Sequence, residues 1–261
     1  MKTIASFRTL ALAFVLAAAP ACAVEEDGVV DELGQSEAEA AVRPSFELWA
    51  NASGNYYFHL EAGNGEIILA SQAYDARLGA ITGILSVLDN GGLPSNYVSK
   101  LGADGKYYVS LKAANGAIIA TGQGYSTKSN ATRGINTIVA NIGSFLAYWD
   151  TATGARIQVN EGATGKHGFN LHAANGAIVL SSEAYTTEAA ALNGGMAVLD
   201  NGANLAAYEV RTAASGKRYF VLKAANGEII GTSQMYATKA SAERGRDAVI
   251  ALVASGAVQL F

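Results

Sequence analysis

The chain has few of the residues that cross-link or interrupt a fold. Its 261 residues include one cysteine and three prolines, and charged residues make up only 15% of the total. Because a single cysteine cannot form an intramolecular disulfide, a disulfide-stapled scaffold is excluded. The folded part must therefore be stabilised by its own apolar core.

A basic excess is also missing. Of the 22 acidic and 18 basic residues, seven acids and two bases precede residue 43, which leaves 15 acids and 16 bases in the rest of the chain. Proteins that bind nucleic acid carry a pronounced positive patch or net charge. We therefore expect no nucleic-acid partner.

Short motifs of catalysis and cofactor binding are missing as well. The chain has no nucleophile elbow, HExxH zinc motif, phosphate-binding loop or dinucleotide fingerprint. Its three histidines, His59, His167 and His172, do not recur at equivalent positions of the repeats, and we expect them at exposed or turn positions without a task. The sequence thus predicts a protein that is not an enzyme, with no catalytic residue, no cofactor and no metal.

Residues 1–22 have the pattern of an export signal. A basic start is followed by an apolar run at residues 9–19, which is too short to span a bilayer, and by small residues before Cys22. Two interpretations stay open. Either Cys22 is the lipidated first residue of a mature bacterial lipoprotein, or cleavage falls at Ala21 or Ala23 by the small-x-small rule. A lipoprotein would lie in the outer membrane or the periplasm, and the other product would be secreted.

The seven acids of the N-terminal part lie in residues 23–42, a stretch that contains no base. Such a stretch buries too little apolar surface to offset the entropy lost on ordering. It predicts a disordered acidic tether between the signal and the folded part.

The rest of the chain is built from four copies of one short unit. An Asn-Gly pair marks each copy, at residues 64–65, 115–116, 175–176 and 226–227, so that the copies are 51, 60 and 51 residues apart. A unit of this length needs neighbours to complete a core. The spacing predicts two pairs of repeats. Their bounds are residues 43–150, with repeats at 46–90 and 97–143, and residues 151–261, with repeats at 157–201 and 208–254.

Each repeat is predicted to begin with three antiparallel strands. Apolar and polar residues alternate on both sides of a first turn, in which a glycine recurs where positive φ is needed. These turn glycines are Gly54, Gly105, Gly165 and Gly216. The Asn-Gly pair that follows is typical of a two-residue type I′ turn and predicts a second hairpin.

In the second half of each repeat the apolar period changes from 2 to 3.6, which predicts a helix. Small hydroxylated residues stand where such a helix is capped, namely Ser126, Thr127, Thr186, Thr187 and Thr238. A glycine recurs inside the helix although it costs about 0.5 to 1 kcal/mol relative to alanine, which indicates close contact with the sheet. These glycines are Gly83, Gly134, Gly194 and Gly245.

The predicted fold class is α+β, with two tandem pairs of β3-α(-β) units. Each pair is expected to form one antiparallel sheet with its helices on one face. Two apolar segments are predicted to add a short strand each, the second of them at residues 257–261. The first segment contains Phe145, Leu146, Tyr148 and Trp149.

The repeats resemble a known family. The segment YFVLKAANGEIIGTSQMY at residues 219–236, with the helix start SAERG at residues 241–245, closely resembles the YegP-like repeat of small bacterial proteins of unknown function. The resemblance covers all four units. It implies β3-α-β subunits, in tandem or as dimers, which form one antiparallel sheet with exchanged last strands and helices on one side. It implies no catalytic residues.

One face of the predicted sheets is left without helices. Tyr57, Tyr108 and Tyr219 recur on this outer face, together with Lys112 and Lys223. Two interpretations stay open. The tyrosines stabilise the sheet by cross-strand packing, or they form with the lysines a surface for a partner.

Together these features predict an exported, lipid-anchored or secreted, non-enzymatic protein that acts as a binding or structural module of the cell envelope. Its expected partner is an unknown envelope protein or glycan, and its only contact with the membrane would be a lipid at Cys22. The alternative is a hydrolytic or other enzyme with its site between the two repeat pairs.

Overall fold

The computed structural model describes residues 43–149 and 152–260. Contacts divide the chain into two compact units, with the division after Ala147. The predicted export signal and acidic tether, and with them Cys22, lie outside the described residues. No helix in the described parts of the chain is both long enough and apolar enough to cross a bilayer.

The first unit is a six-stranded antiparallel sheet with two helices. Its elements are β1 Ser45–Ala50, β2 Tyr56–Glu61, β3 Ile67–Ser71, α1 Arg77–Asn90, β4 Tyr97–Leu101, β5 Tyr107–Lys112, β6 Ile118–Tyr125 and α2 Lys128–Trp149. The strand order is β1-β2-β3-β6-β5-β4. The two repeats therefore join through their third strands, where Ala70 lies opposite Thr121.

The second unit repeats this plan with one strand more. Its elements are β7 Arg156–Glu161, β8 His167–His172, β9 Ile178–Ser181, α3 Glu188–Asn201, β10 Tyr208–Thr212, β11 Arg218–Lys223, β12 Ile229–Thr232, α4 Lys239–Ala254 and β13 Gln259–Leu260. The strand order is β10-β11-β12-β9-β8-β7-β13. The third strands again join the repeats, with Thr232 opposite Ser181.

The apolar core of each unit lies between the sheet and its helices, which share one face, as predicted. In the first unit Ile138 of α2 and Val109 of β5 both lie beside Gly122 of β6. In the second unit Ile157 and Leu260 lie under α3. The largest fully buried rings are those of Phe46, Phe58, Phe145, Phe169 and Phe220. The predicted α+β fold with paired repeats is confirmed.

The helix glycines face tyrosines at the end of the third-strand segments. A Cβ atom added to any of these glycines would lie closer than 3 Å to a tyrosine oxygen. The glycine–tyrosine pairs are Gly83 with Tyr74, Gly134 with Tyr125, Gly194 with Tyr185 and Gly245 with Tyr236. The predicted close contact of helix and sheet is confirmed, although the sequence did not indicate that tyrosines make it.

The predicted helix caps form in three repeats. The side-chain oxygens of Thr127, Thr187 and Thr238 each accept a hydrogen bond, at 3.1 to 3.2 Å, from the backbone N–H three residues later. Each cap satisfies one of the amide groups that a helix N-terminus leaves unpaired. Helix α1 follows Ala76 and has no side-chain cap.

The type I′ prediction for the Asn-Gly turns is wrong. The first of these turns is a three-residue loop, in which Ala62 N–H donates to Glu66 O and Gly65 N–H donates to Ala62 O. Among the described residues only glycines have positive φ, whereas a type I′ turn needs positive φ at both central positions. Asn64 keeps its negative φ because its Oδ1 accepts the N–H of Glu66 at 3.1 Å.

The prediction of a strand after the second repeat is also wrong. Residues 145–149 continue helix α2, which ends at Trp149. Phe145 packs edge-on against Phe46 with ring centroids 5.2 Å apart, because it continues the buried stripe of Ile138 and Ile142 at helical spacing. The period of this short apolar segment was therefore that of a helix.

The corresponding prediction at the C-terminus is confirmed. Gln259 and Leu260 form strand β13, which pairs with β7 of the preceding repeat. This pairing is parallel, so the second sheet is not wholly antiparallel. Leu260 is buried, which explains why the last residues return to the sheet.

Candidate binding face

The predicted outer-face residues take equivalent positions on their strands. Tyr57 lies opposite Trp49, Tyr108 opposite Lys100 and Tyr219 opposite Arg211. All three tyrosines, with Lys112 and Lys223, are half-buried. Tyr57 and Tyr108 belong to the first sheet, where strands β3 and β6 separate them, and Tyr219 belongs to the second. Within the first sheet, Tyr57 and Tyr108 therefore do not form one cluster.

Each of the first two tyrosines has its own environment. The ring of Tyr57 stacks on Trp49 with centroids 5.8 Å apart, and its hydroxyl accepts a hydrogen bond of 3.3 Å from Asn51 Nδ2. The hydroxyl of Tyr108 donates to Asp104 Oδ2 at 2.8 Å, and this bond lowers the pKa of the Asp104 carboxyl. The first sheet thus presents an aromatic pair at one end and a hydrogen-bonded tyrosine at the other.

Lys223 is engaged in an ion-pair network on the second sheet. Its Nζ lies 2.6 Å from Glu209 Oε2, and Arg211 donates to both oxygens of the same carboxylate at 2.9 Å. Hydrogen bonds from Arg211 and then Lys223 lower the pKa of Glu209 to about 2. Lys223 and Arg211 are therefore both held by an acid of the same face.

His59 is not at the exposed position that we expected. It is only 8% exposed, and its Nε2 lies 2.8 Å from Glu47 Oε2 and 2.9 Å from Glu61 Oε1. The ring of Trp49 covers it at a centroid distance of 4.9 Å. The missed signal is the hairpin register, because Glu47 lies directly opposite His59 and Glu61 follows two residues later on the same face.

The other two histidines lie on strand β8, at its first and last residues. His167 lines a shallow hollow of about 290 Å³, together with Asn160, Asn170 and Glu183. This hollow opens where Gly168 stands in place of the outer-face tyrosine of the other repeats. His172 places its Nδ1 3.1 Å from the Gly176 carbonyl oxygen, in the second hairpin.

A second hollow, of about 310 Å³, lies beside helix α2 in the first unit. Gln123, Tyr125, Arg133 and Thr137 are among its lining residues. One of its polar groups is already hydrogen-bonded, because Gln123 Nε2 donates to Glu66 Oε1 at 2.7 Å. The site is shallow, whereas pockets for small molecules are clefts that bury most of the ligand.

The four repeats match a family model described as "Domain of unknown function (DUF1508)". The matched segments are residues 51–97, 103–144, 163–209 and 213–259. They cover more than half of the chain, so the protein belongs to this family. This match and the similarity to YegP of Escherichia coli confirm the resemblance to YegP-like repeats, and the family's description assigns no activity.

Similar proteins correspond in length to one pair of repeats. The UPF0339 protein PA0329 of Pseudomonas aeruginosa is 45% identical over 95 residues, which are 36% of this chain and 86% of the relative. The UPF0339 protein YegP of Escherichia coli K12 is 41% identical over 96 residues, which are 37% of this chain and 87% of the relative. The solution NMR structure of Escherichia coli yegP is 39% identical, covers 40% of this chain and 89% of its own, and has a TM-score of 0.37.

Proposed function

We propose that this protein is a non-enzymatic binding module of the cell envelope, which holds a partner protein on the helix-free face of its first sheet. The observation that carries the proposal is the contrast between the two faces of the repeats. The inner face keeps the same kind of residue in all four copies, as Phe58, Val109, Phe169 and Phe220 illustrate. The outer face differs from copy to copy, which suits recognition better than a shared structural task.

The chemistry of the outer face in repeat one supports a protein partner. Trp49 is partly exposed and stacks on Tyr57. It also packs on His59, which lies beside the carboxylates of Glu47 and Glu61. Protein interfaces are enriched in tryptophan and tyrosine at their centre and have a polar rim. An aromatic pair bordered by charged groups has this composition.

Binding is proposed rather than catalysis because ionisable groups on or beside the helix-free faces of both sheets pair with one another. Glu209 is occupied by Arg211 and Lys223, and Asp104 accepts the hydroxyl of Tyr108. A catalytic site needs a nucleophile or base that is directed at a substrate position. The alternative of an enzyme with a site between the repeat pairs stays a prediction.

Export and lipidation are the second part of the proposal. They are supported by the basic start, the apolar run at residues 9–19 and the small residues before Cys22. Replacement of Cys22 by serine is expected to abolish labelling with a fatty-acid analogue and to release the protein from the membrane fraction. Labelling that persists in Cys22→Ser would refute lipidation, and a protein retained in the cytoplasm would refute export.

The binding proposal can be tested by photo-crosslinking of the full-length protein in cells. A photoreactive phenylalanine analogue replaces Tyr57 on the outer face or, as a control, Asn136, which is exposed on helix α2. We expect a protein adduct from position 57 that position 136 does not give, and Trp49→Ala should weaken it. Equal adducts at both positions, or none at position 57, would refute this binding face. An adduct that glycosidases remove would identify a glycan partner instead.

A further inference from the structure

Three side chains with metal-binding atoms converge on the outer face of repeat one. Glu47 comes from strand β1, and His59 and Glu61 come from strand β2. One ligand atom from each lies within 4.8 Å of the others, and His59 Nε2 lies within 2.9 Å of an oxygen of each carboxylate. Because the cross-strand register sets this arrangement, two paired strands hold the three groups rather than a mobile loop.

The charges in this cluster are unbalanced. Nε2 can carry one hydrogen, but two carboxylates lie within hydrogen-bond distance of it. Among the described residues, the ion pairs of Glu47 and Glu61 are made with His59 alone. His59, a residue only 8% exposed, thus lies between two carboxylates, which repel each other when both are ionised.

In repeat four a lysine balances the charge of the corresponding carboxylate. Glu209 occupies the position of Glu47, but Lys223 stands in place of Glu61 and neutralises the carboxylate at 2.6 Å. Repeat one has a second acid where repeat four has this lysine. A bound cation would supply the positive charge that the lysine supplies in repeat four.

The geometry points to a binding site for one divalent transition-metal ion, ligated by Nε2 of His59 and by one oxygen each of Glu47 and Glu61. Imidazole with carboxylates suits zinc and its first-row neighbours, whereas calcium and magnesium prefer ligand sets made of oxygen alone. This site goes beyond the proposed partner binding and does not depend on it.

The distances fit such an ion after a small movement. Zinc lies about 2.0 to 2.2 Å from nitrogen and oxygen ligands, so tetrahedral ligand atoms are roughly 3.3 to 3.5 Å apart. The hydrogen-bond distances of 2.8 and 2.9 Å must therefore open by about half an ångström. The carboxylates can make this movement, since the side chains of Glu47 and Glu61 are 38% and 29% exposed.

The surroundings hold the imidazole and leave the ion accessible. Trp49 packs on the ring of His59 and in turn stacks on Tyr57, whose hydroxyl is held by Asn51. Packing of this kind restricts the orientation of the imidazole that would ligate the ion. Three protein ligands leave at least one position of a tetrahedral ion for water or for a group of the partner.

The other repeats provide natural controls, because none of them has this ligand set at the three positions. The equivalent residues are Val98, Ser110 and Lys112 in repeat two, Gln158, Asn170 and His172 in repeat three, and Glu209, Val221 and Lys223 in repeat four. We therefore expect the part of the chain that the structure describes to form one such ion-binding site.

The test is a calorimetric titration of the full-length protein with zinc chloride, with calcium chloride as the comparison. The first variant is His59→Asn, which introduces the residue that repeat three uses at this position. The second is Glu61→Lys, which introduces the residue of repeats two and four. The control is His172→Asn, which removes a histidine on the outer face of repeat three. We expect the wild-type chain to bind one zinc ion. The affinity for zinc should be at least about tenfold lower in the first two variants and unchanged in the control.

A spectroscopic measurement on the wild-type protein keeps the test independent of the variants. Carboxylates only accept hydrogen bonds, so Nε2 of His59 carries a hydrogen when it contacts both of them. Zinc must displace that hydrogen, and nitrogen NMR of labelled histidine should show its loss from Nε2 at one equivalent of zinc. Undiminished zinc binding by His59→Asn, a retained Nε2 hydrogen, or no zinc binding by the wild type would each overturn the proposal.

Discussion

Gly134 and Gly143 lie in the same helix, α2, but only Gly134 is in close contact with the sheet. A Cβ atom on Gly134 would overlap the phenol of Tyr125, whereas a Cβ atom on Gly143 would meet nothing within 4 Å. Alanine therefore has the same effect on helix propensity at the two positions, but only at Gly134 does it overlap a packed side chain. We predict that Gly134→Ala destabilises the protein and that Gly143→Ala stabilises it.

The magnitudes follow from two competing terms. Replacing a helical glycine by alanine favours folding by about 0.5 to 1 kcal/mol, and this is the whole effect expected at Gly143. Overpacking a filled site costs typically about 1 to 3 kcal/mol, so Gly134→Ala should lower the free energy of unfolding by about 1 kcal/mol net. The two variants should then differ by about 2 kcal/mol, or by about 8 °C or more in the Tm of a unit of this size.

The assay is urea denaturation of the full-length protein, followed by circular dichroism, with Gly143→Ala as the matched control. The Tyr125→Phe background removes the oxygen nearest to the added methyl group, so Gly134→Ala should cost less there than in the wild type. Equal shifts for both alanine variants would show that the close contact has no energetic consequence. A cost that is unchanged by Tyr125→Phe would show that the tyrosine is not its source.

A fragment of residues 43–149 should unfold cooperatively in a thermal melt. A fragment that ends at residue 143 lacks the buried Phe145, which is 1% exposed, so its free energy of unfolding should be lower by about 3 to 5 kcal/mol; equal melting temperatures would contradict this role of Phe145. Acid titration should show the pairing of Glu209, whose pKa is lowered from 4.5 to about 2. Its stabilising contribution is complete above pH 4.5 and is lost as the pH falls to about 2, so Glu209→Gln should flatten the dependence of Tm on pH in this window, and an unchanged slope would contradict the ion pair. Gly116→Ala should destabilise by about 1 to 2 kcal/mol, because φ is +82° at this turn; a denaturation midpoint equal to that of the wild type would refute the strain.

The elements that could be predicted from the sequence are those set by local periodicity. Alternation over a few residues, as in Tyr56–Glu61, produces one apolar face only in a strand, and the 3.6 period behind it produces one only in a helix. Four gapless copies made each signal stronger than a single segment would be. The helix glycines likewise indicated that helix and sheet lie in close contact, because the low helix propensity of glycine must be offset by packing.

Two of the corrections concern segments where local signals compete. Residues 145–149 are too few and too apolar to separate a strand from a further helix turn, and the burial of Phe145 against Phe46 decided for the helix. At Asn64 the hydrogen bond from the N–H of Glu66 to the side chain favours negative φ, so the loop has three residues instead of the predicted two.

The sequence alone determined the repeat, its strands and helix and the family resemblance, because these properties depend on residues that are neighbours along the chain. The spacing of the copies also indicated which repeats form a pair. Only the tertiary structure decided which groups meet across strands. Glu47 and His59 are twelve positions apart, and their contact depends on the hairpin register rather than on either residue's own preference. The same is true of Leu260, whose place beneath α3 became visible only when the last strand returned to β7 of the preceding repeat.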